Sequence, residues 1–174
     1  MNKSLVLTGM MGVGKSTIGK SLADKLSYTF IDVDKLIEAN EGCSINLIFK
    51  KKSEEYFRKL EKTISLQQLK RDNAVISLGG GAFLNESIRK AVRASSISFW
   101  LDVNLDELIK RLSKTKKRPL LDNKNLKETV YKIYLERKKT YSEANFKIKC
   151  NLKPEMIVNK ILKLYENSEN KIQR

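Results

Sequence analysis

The sequence predicts an α/β fold built on a parallel sheet with helical crossovers, and three observations carry that expectation. Short apolar runs alternate with helix-length amphipathic stretches along the chain, the pattern of strands joined by crossovers. Six of the eight glycines, Gly9, Gly12, Gly14, Gly79, Gly80 and Gly81, fall in two loops directly after expected strands, and open α/β sheets bind ligands at those carboxyl ends. The first loop reads Gly9-Met10-Met11-Gly12-Val13-Gly14-Lys15-Ser16, the G-x-x-x-x-G-K-S spacing of a phosphate-binding turn.

Each element follows from local pattern. Residues 5–8 form an apolar strand leading into the glycine loop, and Ile18, Leu22, Ala23 and Leu26 then recur at helical spacing. Residues 29–31 read as a second strand closed by Asp32-Val33-Asp34, where alternation sets both carboxylates just beyond the sheet edge near the nucleotide loop. The stretch from 32 to about 60 holds more helix than one crossover requires, and it is expected to reach a ligand. Within it a helix starts near Ser53, with Phe57, Leu60 and Ile64 as its apolar stripe. Strands are expected at 74–78, 97–101 and 146–150. Between the last two, residues 115–125 have the polar composition of an exposed flap, and Leu126, Val130, Ile133, Tyr134 and Tyr141 mark one face of a late helix.

At 174 residues the chain is about one domain long and can bury a core without disulfides or structural metal. No repeat or linker divides it, so residues 1–174 are expected to form one domain whose insertions are elaborated loops. Cys43 and Cys150 show neither zinc-ligand spacing nor a redox pair, which fits a reduced, cytoplasmic setting. The N-terminal run is too short for a signal core, and no uncharged stretch approaches the ~18 residues of a membrane span. The formal charge of +15 raises nucleic acid as a partner, but the lysines are scattered, as in Lys50-Lys51-Lys52 and Lys138-Lys139, without interleaved aromatic residues. They are expected to be solvated faces that draw in anionic small molecules. The chain has no histidine, so a general base must be a carboxylate, lysine, tyrosine or water.

The chemistry concentrates in a few positions. In the first glycine loop, positions without side chains let backbone N–H groups wrap a polyphosphate, Lys15 reaches the β and γ phosphates, and the Ser16 hydroxyl ligates Mg²⁺. Of Asp32 and Asp34, one can serve the metal and the other a substrate hydroxyl; alternatively they cap the following helix. Arg58 stands three residues before Glu61, either a surface pair or a held guanidinium. Arg137 falls within the apolar face of the late helix, where a guanidinium either meets an anion or extends past the core to solvent. Gly79-Gly80-Gly81 is either a flexible loop or a backbone-only surface for close approach. Arg118, before Pro119, reads by itself as one more solvated cation.

Taken together, these motifs resemble the shikimate kinases, within the nucleoside-monophosphate-kinase-like branch of P-loop proteins. The resemblance spans nearly the whole chain: the Gly-x-x-Gly-x-Gly-Lys-Ser run, Asp32-x-Asp34, Phe57-Arg58-x-x-Glu61, the triple glycine, Arg118-Pro119-Leu120-Leu121, and Arg137 with Tyr141. It implies a P-loop three-layer sandwich with a five-stranded parallel sheet in the order 2-3-1-4-5, a substrate-binding region at about 32–60 and a lid at about 112–125. It implies transfer of the γ-phosphoryl group of MgATP to the 3-hydroxyl of shikimate, by a monomer without nucleic-acid or membrane partners. Catalysis would rest on Lys15, Asp34 and Arg118, and Mg²⁺ on Ser16 and Asp32. ATP would lie on Gly12, Val13, Gly14, Lys15, Ser16, Thr17 and Arg118, with Arg111, Lys153 and Pro154 against adenine. Shikimate would sit among Asp34, Arg58, Glu61, Gly79, Gly80, Gly81 and Arg137. Two positions depart from the usual pattern: Ser77 stands where a threonine is common, and 151–154 lacks an arginine often found nearby. Kinases of gluconate or nucleoside monophosphates are the enzymatic alternatives, and a nucleotide-dependent regulator or RNA-binding module is the non-enzymatic one.

Overall fold

Every expected strand forms, and all five join one parallel sheet in the order β2-β3-β1-β4-β5. A computed structural model describes residues 3–114 and 125–172, with side chains to Ser168. The strands are β1 (Ser4–Thr8), β2 (Thr29–Asp32), β3 (Ala74–Ser77), β4 (Ser96–Asp102) and β5 (Phe146–Lys149). Burial explains their composition. β1, β3 and β4 are central and buried almost throughout, so their sequences read as near-continuous apolar runs. β2 and β5 are edges, and their outer residues are exposed or half-buried. Ser4 is a buried exception, satisfied because its Oγ donates to the Arg71 carbonyl at 2.8 Å and accepts the Ala74 amide at 3.1 Å.

The helices are α1 (Lys15–Leu26), α2 (Val33–Glu41), α3 (Ile45–Lys51), α4 (Glu54–Gln68), α5 (Glu86–Ser95), α6 (Leu105–Ser113), α7 (Leu126–Tyr141) and α8 (Pro154–Ile172). They flank the sheet: α1 packs on β3 and α8, and α5 packs on β4 beside α4. Five consecutive starts, α2 to α6, carry the side-chain caps the sequence offers, the last being Asn104, which accepts the Asp106 amide. Asp32 accepts the Lys35 amide, Ser44 that of Leu47, Ser53 that of Tyr56 and Asn85 those of Ser87 and Ile88. The extra helical matter between β2 and β3 is α2, α3 and α4, the region expected to reach a ligand. No helix of the described residues is long and apolar enough to cross a membrane.

One local expectation is corrected. Asp34 does not continue the second strand: β2 ends at Asp32, whose carboxylate caps α2, so Val33 and Asp34 already lie in the first helical turn. The expected lid falls largely on 115–124, outside the described residues, and Arg118 with it.

Candidate active site

The carboxyl ends of β1, β2 and β3 open into one cleft of about 1150 Å³, larger than the usual ~300–1,000 Å³ of a single small-molecule pocket. Two groups of residues line it.

The phosphate side comes from the turn between β1 and α1. Gly14 is the N-cap of α1 with φ 99° and no side-chain cap, so the first amides of α1 are left to an anion. Gly9 has φ 132°, and a Cβ there would stand 2.5 Å from the Leu101 carbonyl oxygen, so only glycine fits against β4. The buried Lys15 curls back over this turn, its Nζ donating to the carbonyls of Gly9 at 2.9 Å and Met10 at 3.0 Å. Gly12, Ser16 and Thr17 line the cleft, whereas the Val13 side chain is buried in the core, leaving its backbone to the turn. Ser16 Oγ donates to Asp32 Oδ2 at 2.7 Å. Asp32 therefore caps α2 with one oxygen, as the capping reading expects, and accepts from Ser16 with the other. A hydroxyl and a carboxylate in contact at the edge of an anion-binding turn are the hard oxygen set that suits Mg²⁺, which takes one or two carboxylates and completes its shell with phosphates and water.

The second side faces it across α2, α4, α7 and the glycine loop after β3. On α4 the spacing of Glu54, Arg58 and Glu61 puts all three on one face. Arg58 donates Nε and Nη2 to Glu54 Oε1 at 3.2 and 3.0 Å, and Nη1 to Glu61 Oε2 at 2.8 Å. Its guanidinium is thus held in a fixed plane, in keeping with the held-pair expectation. Glu61 and Asp34 converge: a Cβ on Gly79 would stand 2.5 Å from Glu61 Oε1 and 2.6 Å from Asp34 Oδ1. A Cβ on Gly81 would stand 2.5 Å from Arg58 Nη1. The glycines therefore make room for charged groups, as a backbone-only surface would. Arg137 is buried and donates Nη1 to the Gly80 carbonyl at 3.0 Å, which excludes the solvent-bound alternative.

Two cleft oxygens, Glu61 Oε1 and Asn46 Oδ1, are buried without a hydrogen-bond partner among the described residues. Such acceptors suit a ligand bearing several hydroxyls. Ile45, Phe49 and Phe57 supply an apolar wall, with the two rings 4.9 Å apart. These three, together with Glu54 and Asn46, were not singled out by sequence as site residues. Glu54 had a legible signal, its i,i+4 spacing to Arg58, whereas Phe57 read simply as core. Arg111 lines the cleft and is paired with Glu107. Lys153 and Pro154, expected beside it, are exposed at the start of α8 and do not line the cleft.

Burial pushes the Glu61 carboxyl above the usual carboxylate range; Arg58 and Arg137 oppose the shift and Asp34 adds to it. An acid whose pKa is higher in the folded chain binds more protons there. Its contribution to stability therefore declines as pH climbs from 4.5 through the folded value. Glu61→Gln removes that slope while keeping an oxygen for Arg58. In thermal melts without substrates, the Tm difference should shift in favour of Glu61→Gln as pH rises above 4.5. A difference that is constant, or that moves the other way, contradicts the burial of this charge.

Against known proteins, a sequence model described as shikimate kinase matches residues 11–166. The chain is 46% identical over 147 residues to a shikimate kinase of Bartonella henselae, covering 84% of this chain and 70% of that one. It is 41% identical over 161 residues to a shikimate kinase of a Sulfurihydrogenibium species, covering 92% and 96%. Its structure superposes with a TM-score of 0.92 and 29% identity on a shikimate kinase from Acinetobacter baumannii in complex with shikimate, covering 97% of this chain and 95% of that one.

Proposed function

The chain belongs to the shikimate kinase family, and on that premise we propose how its own residues move the γ-phosphoryl group of ATP to the 3-hydroxyl of shikimate. The observation that carries the assignment of sides is the convergence of Arg58, Arg137, Asp34 and Glu61 on the glycine loop, across one cleft from the phosphate turn. A compact hydroxy-acid fits that half: two guanidinium groups for its carboxylate, carboxylates and Asn46 for its hydroxyls, and an apolar wall for its ring. Gluconate and nucleoside monophosphates give way to shikimate on the same family membership.

The polyphosphate lies on the backbone amides from Gly12 to Thr17, with Lys15 on the β and γ phosphates. Mg²⁺ held by Ser16 and Asp32 supplies charge neutralisation on the phosphate oxygens when bound. Arg58 and Arg137 grip the carboxylate and so orient the ring. Asp34 accepts the hydrogen bond of the 3-hydroxyl and takes its proton as the new O–P bond forms and the bond to ADP breaks. Arg111 flanks the nucleotide, and Lys153 and Pro154 remain assigned to adenine through the resemblance alone. Arg118, outside the described residues, is assigned by the same resemblance to the transferring phosphate. The cysteines Cys43 and Cys150 are both free, in keeping with a reduced, cytoplasmic setting.

Shikimate methyl ester tests the grip on the carboxylate. It keeps every hydroxyl and loses the charge that both arginines meet, so its kcat/KM should fall at least ~10²-fold below that of shikimate. Equal kcat/KM for ester and acid would remove Arg58 and Arg137 from that role.

A further inference from the structure

We propose that Tyr141 is a positioning residue for the acceptor: its hydroxyl holds the Gly80 carbonyl, and through that carbonyl sets Arg137. The proposal rests on the assignment of Arg137 to the acceptor carboxylate.

Tyr141 closes α7 one helical turn after Arg137, so the two side chains point the same way. The Tyr141 hydroxyl donates to the Gly80 carbonyl oxygen, which also accepts Arg137 Nη1 at 3.0 Å. A carbonyl oxygen has two lone pairs, and both are used. The ring of Tyr141 has no exposed surface and packs on Trp100 with centroids 5.9 Å apart, so its position is set by the core. Gly80 also lies against the other substrate's loop, since a Cβ on it would stand 3.3 Å from the Met11 amide nitrogen and 3.7 Å from the Gly9 carbonyl oxygen. One peptide unit therefore meets the acceptor arginine, the α7 anchor and the phosphate turn.

The consequence follows from how hydrogen bonds are lost. An arginine that turns its N–H fork toward an incoming carboxylate loosens its hold on Gly80. With Tyr141 in place the half-buried carbonyl keeps a donor, and without the hydroxyl it depends on Arg137 alone. Substrate and carbonyl then compete for one guanidinium, and a half-buried carbonyl left without a donor carries a cost. ATP, resting on backbone amides and Lys15, does not enter that competition. Burial holds the phenol above its usual pKa, so it remains a donor across physiological pH.

Steady-state kinetics of wild type, Tyr141→Phe, Arg137→Lys and the double variant test this. Tyr141→Phe, which keeps the ring, should raise KM for shikimate ~three- to tenfold, the worth of one hydrogen bond, and leave KM for ATP within about twofold. In the Arg137→Lys background the same change should raise KM for shikimate by less than about twofold, because both residues act through one carbonyl. A Tyr141→Phe protein that fails to fold, that raises both KM values together or that leaves KM for shikimate unchanged makes Tyr141 an ordinary core contact and overturns the proposal; so does full additivity in the double variant. Absent shikimate turnover by wild type would instead defeat the kinase reading itself.

Discussion

Lys15→Ala is expected to yield a folded protein whose turnover of ATP and shikimate is down ~10³-fold or more, the scale of losing a charged donor from a phosphoryl-transfer site. As the first residue of α1, Lys15 has its stem buried and its ammonium curled over the turn, touching the carbonyls of Gly9 and Met10. Removing it costs those two hydrogen bonds from a charged donor, about 1.5–3 kcal/mol each at most. The turn lines an open cleft where water can meet the freed carbonyls, so the melting temperature should drop while the protein stays folded. The amide cradle and the helix N-terminus remain, and ATP should still bind, though more weakly. Comparing kcat, KM for ATP and thermal melts in one preparation separates these effects. A variant with near-normal kcat, or one that is unfolded, contradicts the role assigned to this lysine.

Asp34→Asn should lower kcat by ~10²–10⁴-fold, the range in which a positioned base contributes, with smaller changes in either KM. The amide keeps the shape and an acceptor oxygen but loses the charge and the ability to take a proton. Asp34 is one of the groups that push the Glu61 carboxyl upward, so neutralising it removes that like-charge contact. The expected result is a severe loss of kcat in a protein that still melts cooperatively. Retention of most activity would reduce Asp34 to an acidic residue in the first turn of α2, favoured there by the helix dipole alone.

Much of this was legible because it rests on local signals. Glycine, lysine and serine spacing marks the phosphate turn, and apolar runs mark the buried central strands to within a residue or so. The charged triad of α4 was half visible, since i,i+3 spacing connects Arg58 to Glu61 while Glu54 went unremarked. Contacts made across the sheet edge were not legible. The partner of Tyr141 is a backbone carbonyl 61 residues away, and no side-chain pattern encodes that. Nor does local spacing show that Glu61 and Asp34 meet over Gly79, because their approach depends on how α2 and α4 pack together. Asp32 carries a related lesson. Capping and contact with the phosphate turn look like rival uses of one side chain, yet a carboxylate has two oxygens, and this one caps α2 with one and accepts from Ser16 with the other. The strand-end reading of Asp34 failed for the same reason: once Asp32 caps, the helix begins at the next residue.

The central claim, that this cleft pairs ATP with shikimate, is tested most directly by competition among acceptors. Purified protein with MgATP is offered shikimate, gluconate, AMP and CMP, separately and then together, while ADP release and the phosphorylated products are followed. The account predicts turnover chiefly with shikimate and a single phosphorylated product, shikimate 3-phosphate, from the mixture. Preferred phosphorylation of gluconate or of either nucleotide, or ADP release that no acceptor stimulates, would contradict it.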